Sequence, residues 1–363
     1  MNEKIISIVL ATYNMEQYLS RCLDSLLVED ILDKIEIIVV NDGSTDNSLF
    51  IAQSYKTKFT DTMIVIDKSN GHQGSCINAA LKIASGKYFR ILDPDDWFDS
   101  HYFVQYIHKL QDTNVDMILT NYSREYVIGF SEVVIKDIKN ITPEYEYNFR
   151  DYDFNKNGLI KLLAMHCITY RTQLLHSFNF KHTEGIFYTD TEYCFYPLEY
   201  VNNFMYLDIV LYKYYIGRDG QSVSEVSIAK NKEHSYQIIN RMIEYFNSYH
   251  HELSEMVRQT QFTVMKNILN LYYRAVLVYN KRNNEDQIKL KNIDISLMNI
   301  DYKLYMSMEE VKYFKMNYIK SWRLKDIYCN ETKRYIYIKN IKRLKSFIKN
   351  LMRFMVTMNK QRL

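Results

Sequence analysis

Three carboxylates fall within four residues at Asp93-Pro94-Asp95-Asp96, directly after the apolar stretch Tyr88-Phe89-Arg90-Ile91-Leu92. Like charges at this spacing repel, and a cation among them would relieve the repulsion. Hard divalent ions prefer such oxygen ligands, and Mg²⁺ commonly takes one or two carboxylates together with substrate phosphates. The run therefore reads as a metal site that holds a diphosphate. Its plainer reading is a solvated strand-to-helix turn in which an Asp caps the next helix.

Other polar residues follow other apolar runs. Tyr13 and Asn14 come after Ile5–Leu10, Asp42 after Ile35–Val40, and Asn70 after Met63–Ile66. Near-continuous apolar runs of this kind are expected of parallel strands covered on both faces. Between them, Tyr18–Leu27 carries apolar residues at helical spacing. Ser44 or Asp46 is placed to cap a second helix, and Ser75 a third reaching about Ala84. Val115–Thr120 reads as a further strand. Strands alternating with helices predict an α/β fold with a mostly parallel sheet. In such sheets ligands bind beyond the carboxyl ends of the strands, where these polar residues gather. Residues 142–226 are less regular, with a strand at Val210–Ile216, and helical spacing dominates from Ser227 on.

The chain has 363 residues, 47% hydrophobic and 25% charged, as globular proteins have. Its five cysteines are scattered with no Cys-x-x-Cys pair, which disfavours a zinc site and a disulfide framework and suits a reducing compartment. Met1-Asn2-Glu3-Lys4 leads straight into a strand, too short a leader for a signal peptide, and no apolar run approaches the ~18 residues of a membrane span. The net charge of +3 is unevenly spread: ten basic and no acidic side chains follow Glu331. Within that tail Ile341, Leu344, Ile348, Leu351 and Met355 repeat at 3-4 spacing. The stripe either lies on an anionic membrane surface or packs on protein, the body or a second subunit in a homodimer. No nucleic-acid-binding motif accompanies the charge, so nucleic acid is not an expected partner.

Taken in order, Val9–Asn14, Ile38–Asp46, Gly86–Trp97 and Glu184–Glu192 resemble the family 2 glycosyltransferases of GT-A fold, over roughly residues 4–225. The resemblance implies a Rossmann-like nucleotide-binding mixed sheet flanked by helices, residues 1–225, with a nucleotide-sugar half (1–100) and an acceptor half (101–225). Residues 226–363 would form a helical C-terminal region ending in the basic tail. It also implies roles. Ala11 and Tyr13 fall where the family contacts the nucleotide base, Asp42 where a carboxylate accepts from the base N–H, and Asp190 at the general base. Asp93 and Asp95 match the element that binds the sugar nucleotide and its Mg²⁺ or Mn²⁺, with Asp96 beside them. Loop residues Asn70 and His72 either face the donor or simply cap and solvate. Arg218 either pairs with the pyrophosphate or is a solvated turn residue, and His166 either lines the site or is a satisfied core histidine. Pro94 and Thr189 depart from the family pattern, the latter where an acidic residue usually precedes the base.

The implied activity is metal-dependent, inverting transfer from a nucleotide sugar, a UDP-sugar in the first instance. The acceptor would be a hydroxyl of a saccharide, polymer or lipid-linked molecule, at the cytoplasmic face of a bacterial membrane. A sugar nucleotidyltransferase would want a Gly-rich loop with a basic residue where Ala11-Thr12-Tyr13-Asn14 stands, and a dehydrogenase would want Gly-x-Gly-x-x-Gly there. An inactive membrane-docked scaffold of the same fold would have no use for Asp42, Asp93–Asp96 and Asp190 together.

Overall fold

The structure, a computed structural model, describes residues 3–134, 138–218, 221, 224–249 and 253–331. The basic tail and its amphipathic stripe lie outside the described residues. The chain divides into two compact units, residues 1–222 with 233–268, and residues 223–232 with 269–363.

The first unit is built on one ten-stranded mixed sheet. Its first half is the expected alternation: β1 (Ile6–Thr12), α1 (Leu19–Leu26), β2 (Ile35–Asp42), α2 (Ser48–Lys58), β3 (Met63–Lys68), α3 (His72–Leu81) and β4 (Tyr88–Ile91). β2, β1 and β4 are almost entirely buried, which is why they read as unbroken Ile, Val and Leu. Then come β5 (Trp97–Phe98), α4 (Ser100–Gln111), β6 (Met117–Tyr126), β7 (Ser131–Val133), β8 (Glu146–Asn148), β9 (Ile168–Arg171), α5 (Thr172–Ser177), α6 (Asp190–Phe195) and β10 (Asn203–Ile216). The strand order is β3-β2-β1-β4-β9-β6-β10-β5, with β7 on β6 and β8 on β10.

The sheet is parallel from β3 to β4 and again between β6 and β10. β9 is inserted antiparallel between β4 and β6. That insertion puts one strand between the two parallel halves of the sheet, pairing the start of β4 (Tyr88, Phe89) with Arg171 and Tyr170.

One expected helix cap is corrected, at Ser75, while Asp46 does accept from the first N–H of α2. Ser75 lies inside α3, which starts one turn earlier at His72; its hydroxyl donates to the His72 carbonyl (2.9 Å) and accepts from Lys68 (2.8 Å). Asp46 ties two loops together, accepting from Ser48 N–H and Glu16 N–H (both 3.0 Å). Asn14 N–H donates to Ser44 Oγ (3.1 Å) and Asn14 Oδ1 accepts from Thr45 N–H (2.8 Å). The loops after β1 and β2 are thereby zipped into one rim.

Among the described residues no helix is long and apolar enough to cross a membrane. All five cysteines are buried and none is joined to another in a disulfide. In the second unit, the helices Asn284–Ile300 and Tyr318–Lys325 bury Leu290, Ile293, Leu297, Ile319 and Trp322. Arg323 clamps Asp294 through two N–H donors (2.7 and 2.6 Å).

Candidate active site

The carboxyl ends of β1, β2, β3 and β4 present Tyr13, Asp42, Asn70 and the acidic turn along one rim. Tyr13 is 46% exposed and Ala11, the last residue but one of β1, is half-buried. Asp42, the last residue of β2, is buried and accepts from Lys68 Nζ (2.8 Å) and Gly71 N–H (2.9 Å). Asn70 donates to the Asp42 carbonyl (2.9 Å). Between them Gly43 turns at φ +72, and a Cβ there would sit 3.0 Å from the Asn70 nitrogen. These contacts make a polar notch from the ends of β2 and β3.

The three carboxylates of the turn face different partners. Asp93 Oδ1 accepts from Gln73 Nε2 (3.0 Å). Asp95 is ion-paired with Arg218, and its carbonyl accepts from Arg21 (2.7 Å), whose guanidinium lies 3.9 Å from the Trp97 ring centre. Asp96 is fully buried, accepting from Tyr212 O–H (2.5 Å) and Tyr215 N–H (2.7 Å). The Tyr212 hydroxyl in turn accepts from Asp93 N–H (3.2 Å). The turn is therefore bolted to β10 rather than solvated. The cap of the following helix is Asp99, which accepts from Tyr102 N–H (3.2 Å).

Although Asp93 retains some surface exposure, burial and then the charges of Asp95 and Asp190 push its carboxyl up to about 8. Asp96 is also raised well above the carboxylate range, by burial and then by Asp95 and Asp93. Carboxyls held in this state gain most from a cation. Ligand atoms of Asp93, Asp96 and His166 lie within 4.8 Å of one another, so two carboxylates and an imidazole converge as a divalent ion would need. The fit is to Asp93 and Asp96; Asp95 is engaged by Arg218.

His166 precedes β9, the inserted strand. Its carbonyl accepts from Arg90 (2.6 Å), and its ring packs on Tyr122 (5.4 Å, near-parallel), Tyr212 (4.8 Å) and Tyr214 (4.4 Å). Burial, then the charges of Arg90 and Arg124, lowers its pKa to about 4, so the imidazole is neutral. Arg90 itself is fully buried and donates to Thr169 (2.9 Å), Thr120 (3.0 Å) and the His166 carbonyl.

Asp190 is the first residue of α6. Its charge raises Asp93, which puts it in the same electrostatic environment as the acidic turn. Burial raises Asp190 above the ordinary carboxylate range, opposed by the amides at the start of the helix. The segment before it is tightly held. Asn78 of α3 pairs with His182, Gly71 O accepts from Gly185 N–H (2.8 Å), and Glu192 accepts from Thr183 N–H (2.7 Å) while ion-paired with Arg241. Gly74 has no room for a side chain: a Cβ would lie 2.1 Å from the Thr183 carbonyl. His72 packs on Phe187 (4.7 Å) and is not merely solvated.

Several members of this constellation carry no sequence signal of their own. Gln73, Asn78 and Tyr212 sit in ordinary helix and strand contexts. Arg90 left one trace, a charge inside an otherwise apolar strand.

Residues 7–178 match the family model described as "Glycosyl transferase family 2". The putative glycosyltransferase EpsH of Bacillus subtilis is 36% identical over 126 residues, 35% of this chain and 36% of that protein. The minor teichoic acid biosynthesis protein GgaB of the same organism is 38% identical over 101 residues, 26% of this chain and 11% of that protein. The matched stretches thus span about a third or less of these relatives' own lengths. Among solved structures, S. aureus TarS 1-349 in complex with UDP-GlcNAc superposes with a TM-score of 0.60 at 21% identity, covering 83% of this chain and 82% of that one. That likeness establishes the fold: a GT-A sheet flanked by helices, with a helical C-terminal region.

Proposed function

We propose that this chain, which belongs to glycosyltransferase family 2 through residues 7–178, transfers a sugar from a nucleotide-sugar donor to a hydroxyl of a cell-surface glycan, polymer or lipid-linked acceptor. A UDP-sugar is the donor we favour, in keeping with the UDP-GlcNAc held by the similar TarS structure. The relatedness to EpsH and GgaB supports a surface-polymer setting.

The observation that carries the reading is that ligand atoms of Asp93, Asp96 and His166 converge within 4.8 Å at the carboxyl end of β4, on the rim that also carries Tyr13, Asp42 and Asn70, with the charge of Asp190 contributing to the raised Asp93 carboxyl. Tyr13 supplies a face for the base to stack on, with Ala11 leaving space beneath, and Asp42 and Asn70 supply acceptors and donors at its edge. Asp93 and Asp96, with Asp95 adjacent, are the residues that would hold Mg²⁺ or Mn²⁺. Such an ion, when bound, neutralises the charge that develops on the departing diphosphate. Arg218, paired with Asp95, is in position to exchange that partner for the diphosphate. Asp190 takes the proton from the acceptor hydroxyl, making it a competent nucleophile. A single displacement with a single base inverts the anomeric carbon and needs no covalent enzyme intermediate.

The basic tail, from Lys333 to Arg362, would hold the enzyme on the anionic inner face of the membrane, where lipid-linked acceptors are presented. Incubation with a panel of nucleotide sugars, scoring release of nucleoside diphosphate, tests the activity. The reading expects one or a few donors to be consumed by the native enzyme and none by the Asp190→Asn or Asp93→Asn variants. Consumption unchanged in both variants overturns it.

A further inference from the structure

We infer that His182 is a positioning residue for the proposed base: its ring N–H fixes the peptide bond that carries Asp190. The inference rests on the reading of Asp190 given above and adds the side chain through which that carboxylate is aimed.

The chain reaches Asp190 through backbone that does not hold itself. Tyr188 lies at φ +69, in the left-handed region that bulky side chains rarely adopt. Thr189 comes next, just before the first residue of α6. Its side chain caps no N–H of that helix, and its hydroxyl oxygen is buried with no partner among the described residues. What Thr189 offers is its carbonyl, which accepts from Glu192 N–H (2.9 Å) and from the His182 ring at Nδ1 (3.0 Å). A carbonyl can only accept, so Nδ1 carries the proton. The peptide unit is planar, so a carbonyl fixed at Thr189 also fixes the amide and Cα of Asp190. Glu192, two residues further on, accepts from Thr183 N–H (2.7 Å) and Thr183 O–H (2.8 Å). Thr189 before Asp190 and Glu192 after it are thus both tied to the dipeptide His182-Thr183.

His182 is itself immobilised and neutral. Asn78 holds both of its backbone polar groups. The ring is fully buried, edge-on to Phe180 (4.7 Å) and near-parallel to Tyr193 (6.3 Å). Burial, aided by the charge of Arg241 and opposed by the Thr189 hydrogen bond, lowers its pKa to about 3. With the proton on Nδ1, Nε2 is a bare acceptor, buried with no partner among the described residues. A buried polar atom left unpaired is costly, and phenylalanine or leucine would fill this space without one. Packing therefore does not account for a histidine here. The one thing it supplies that an apolar side chain cannot is the Nδ1–H donor to Thr189.

Steady-state kinetics of His182→Phe, His182→Leu and His182→Asn, read beside Asp190→Asn, test this. Asparagine keeps an N–H donor at the same branch of the side chain, whereas phenylalanine and leucine have none. The two donor-free variants should lose kcat by about ten- to a hundred-fold, as expected of a misaimed base. Their donor KM, UDP affinity and melting temperature should stay near native, and His182→Asn should recover most of the lost kcat. In an Asp190→Asn background the donor-free variants should lower kcat by less than about two-fold, because a residue that acts through Asp190 has nothing left to position. Native kcat in the donor-free variants, an equal loss in the Asp190→Asn background, no recovery by asparagine, or failure of both donor-free variants to fold overturns the inference. If Asp190→Asn is itself inactive in that event, the base assignment stands. Native turnover by Asp190→Asn overturns that assignment and the inference with it.

Discussion

Asn78 and His182 are joined by a two-way hydrogen bond: Asn78 Oδ1 accepts from the His182 N–H (2.8 Å) and Asn78 Nδ2 donates to the His182 carbonyl (3.0 Å). Asn78 also donates to Glu184 (2.9 Å). A side-chain amide thus replaces a strand partner for the segment that leads to Asp190. The helix that starts at the nucleotide rim grips the loop that delivers the proposed base, so the two halves of the reaction share one mechanical joint.

Gly74→Ala should break this joint. The added methyl meets the Thr183 carbonyl backbone, which cannot yield as a flexible side chain would. We expect about 1–3 kcal/mol of lost stability together with a fall in kcat. Gly185→Ala, with open space around its Cβ but a φ of +79, should cost only about 1 kcal/mol. Thermal melts and steady-state kinetics of the pair decide it; equal effects would mean that the α3–loop contact is unimportant.

Asp190→Asn should lower kcat by about a hundred- to ten-thousand-fold, leaving the melting temperature and the affinity for nucleoside diphosphate near native. A large loss of nucleotide affinity instead would reassign Asp190 to donor binding.

Removal of the Tyr13 ring should act on the donor alone. The residue is half exposed, so Tyr13→Ala should leave stability unchanged. Loss of a base stack worth about 1–3 kcal/mol should raise the donor KM roughly ten-fold. An unchanged KM would place the base elsewhere.

The pH dependence of stability follows from Asp93. Its folded-state pKa is raised to about 8, against about 4 in the unfolded chain. Between those values the native state holds the proton that the unfolded state has released, so this group's contribution to stability falls as pH rises through that window. Metal-free protein should melt at progressively lower temperature between about pH 5 and pH 8 through this contribution. Asp93→Asn should flatten the trend and saturating Mn²⁺ should reverse it. A native trend indistinguishable from that of Asp93→Asn contradicts the assignment.

The nucleotide half was legible because burial on both faces turns β1, β2 and β4 into plain apolar runs, each ending in polar residues. The acceptor half was not. β9 is only four residues, Ile168–Arg171, and its place between β4 and β6 is decided by pairing with strands about 80 and 50 residues away in sequence, which no local pattern encodes. β10 extends back to Asn203 from the expected Val210, since its first half alternates less cleanly where it pairs with β8. In the site, the carboxylates announce themselves by type and spacing. Their supports do not: Gln73, Tyr212 and Arg90 matter through contacts made across the fold. The start of α3 slipped a turn because Lys68 claims the hydroxyl that would have capped it.

The most direct test is a crystal of the protein soaked with Mn²⁺ and UDP, with diffraction recorded at the manganese absorption edge. The account predicts an anomalous peak against Asp93 and Asp96, bridging to the diphosphate, with the uracil ring over Tyr13 and its edge at Asp42. A peak elsewhere, or nucleotide bound away from the rim with the acidic turn still closed on Arg218, would contradict it.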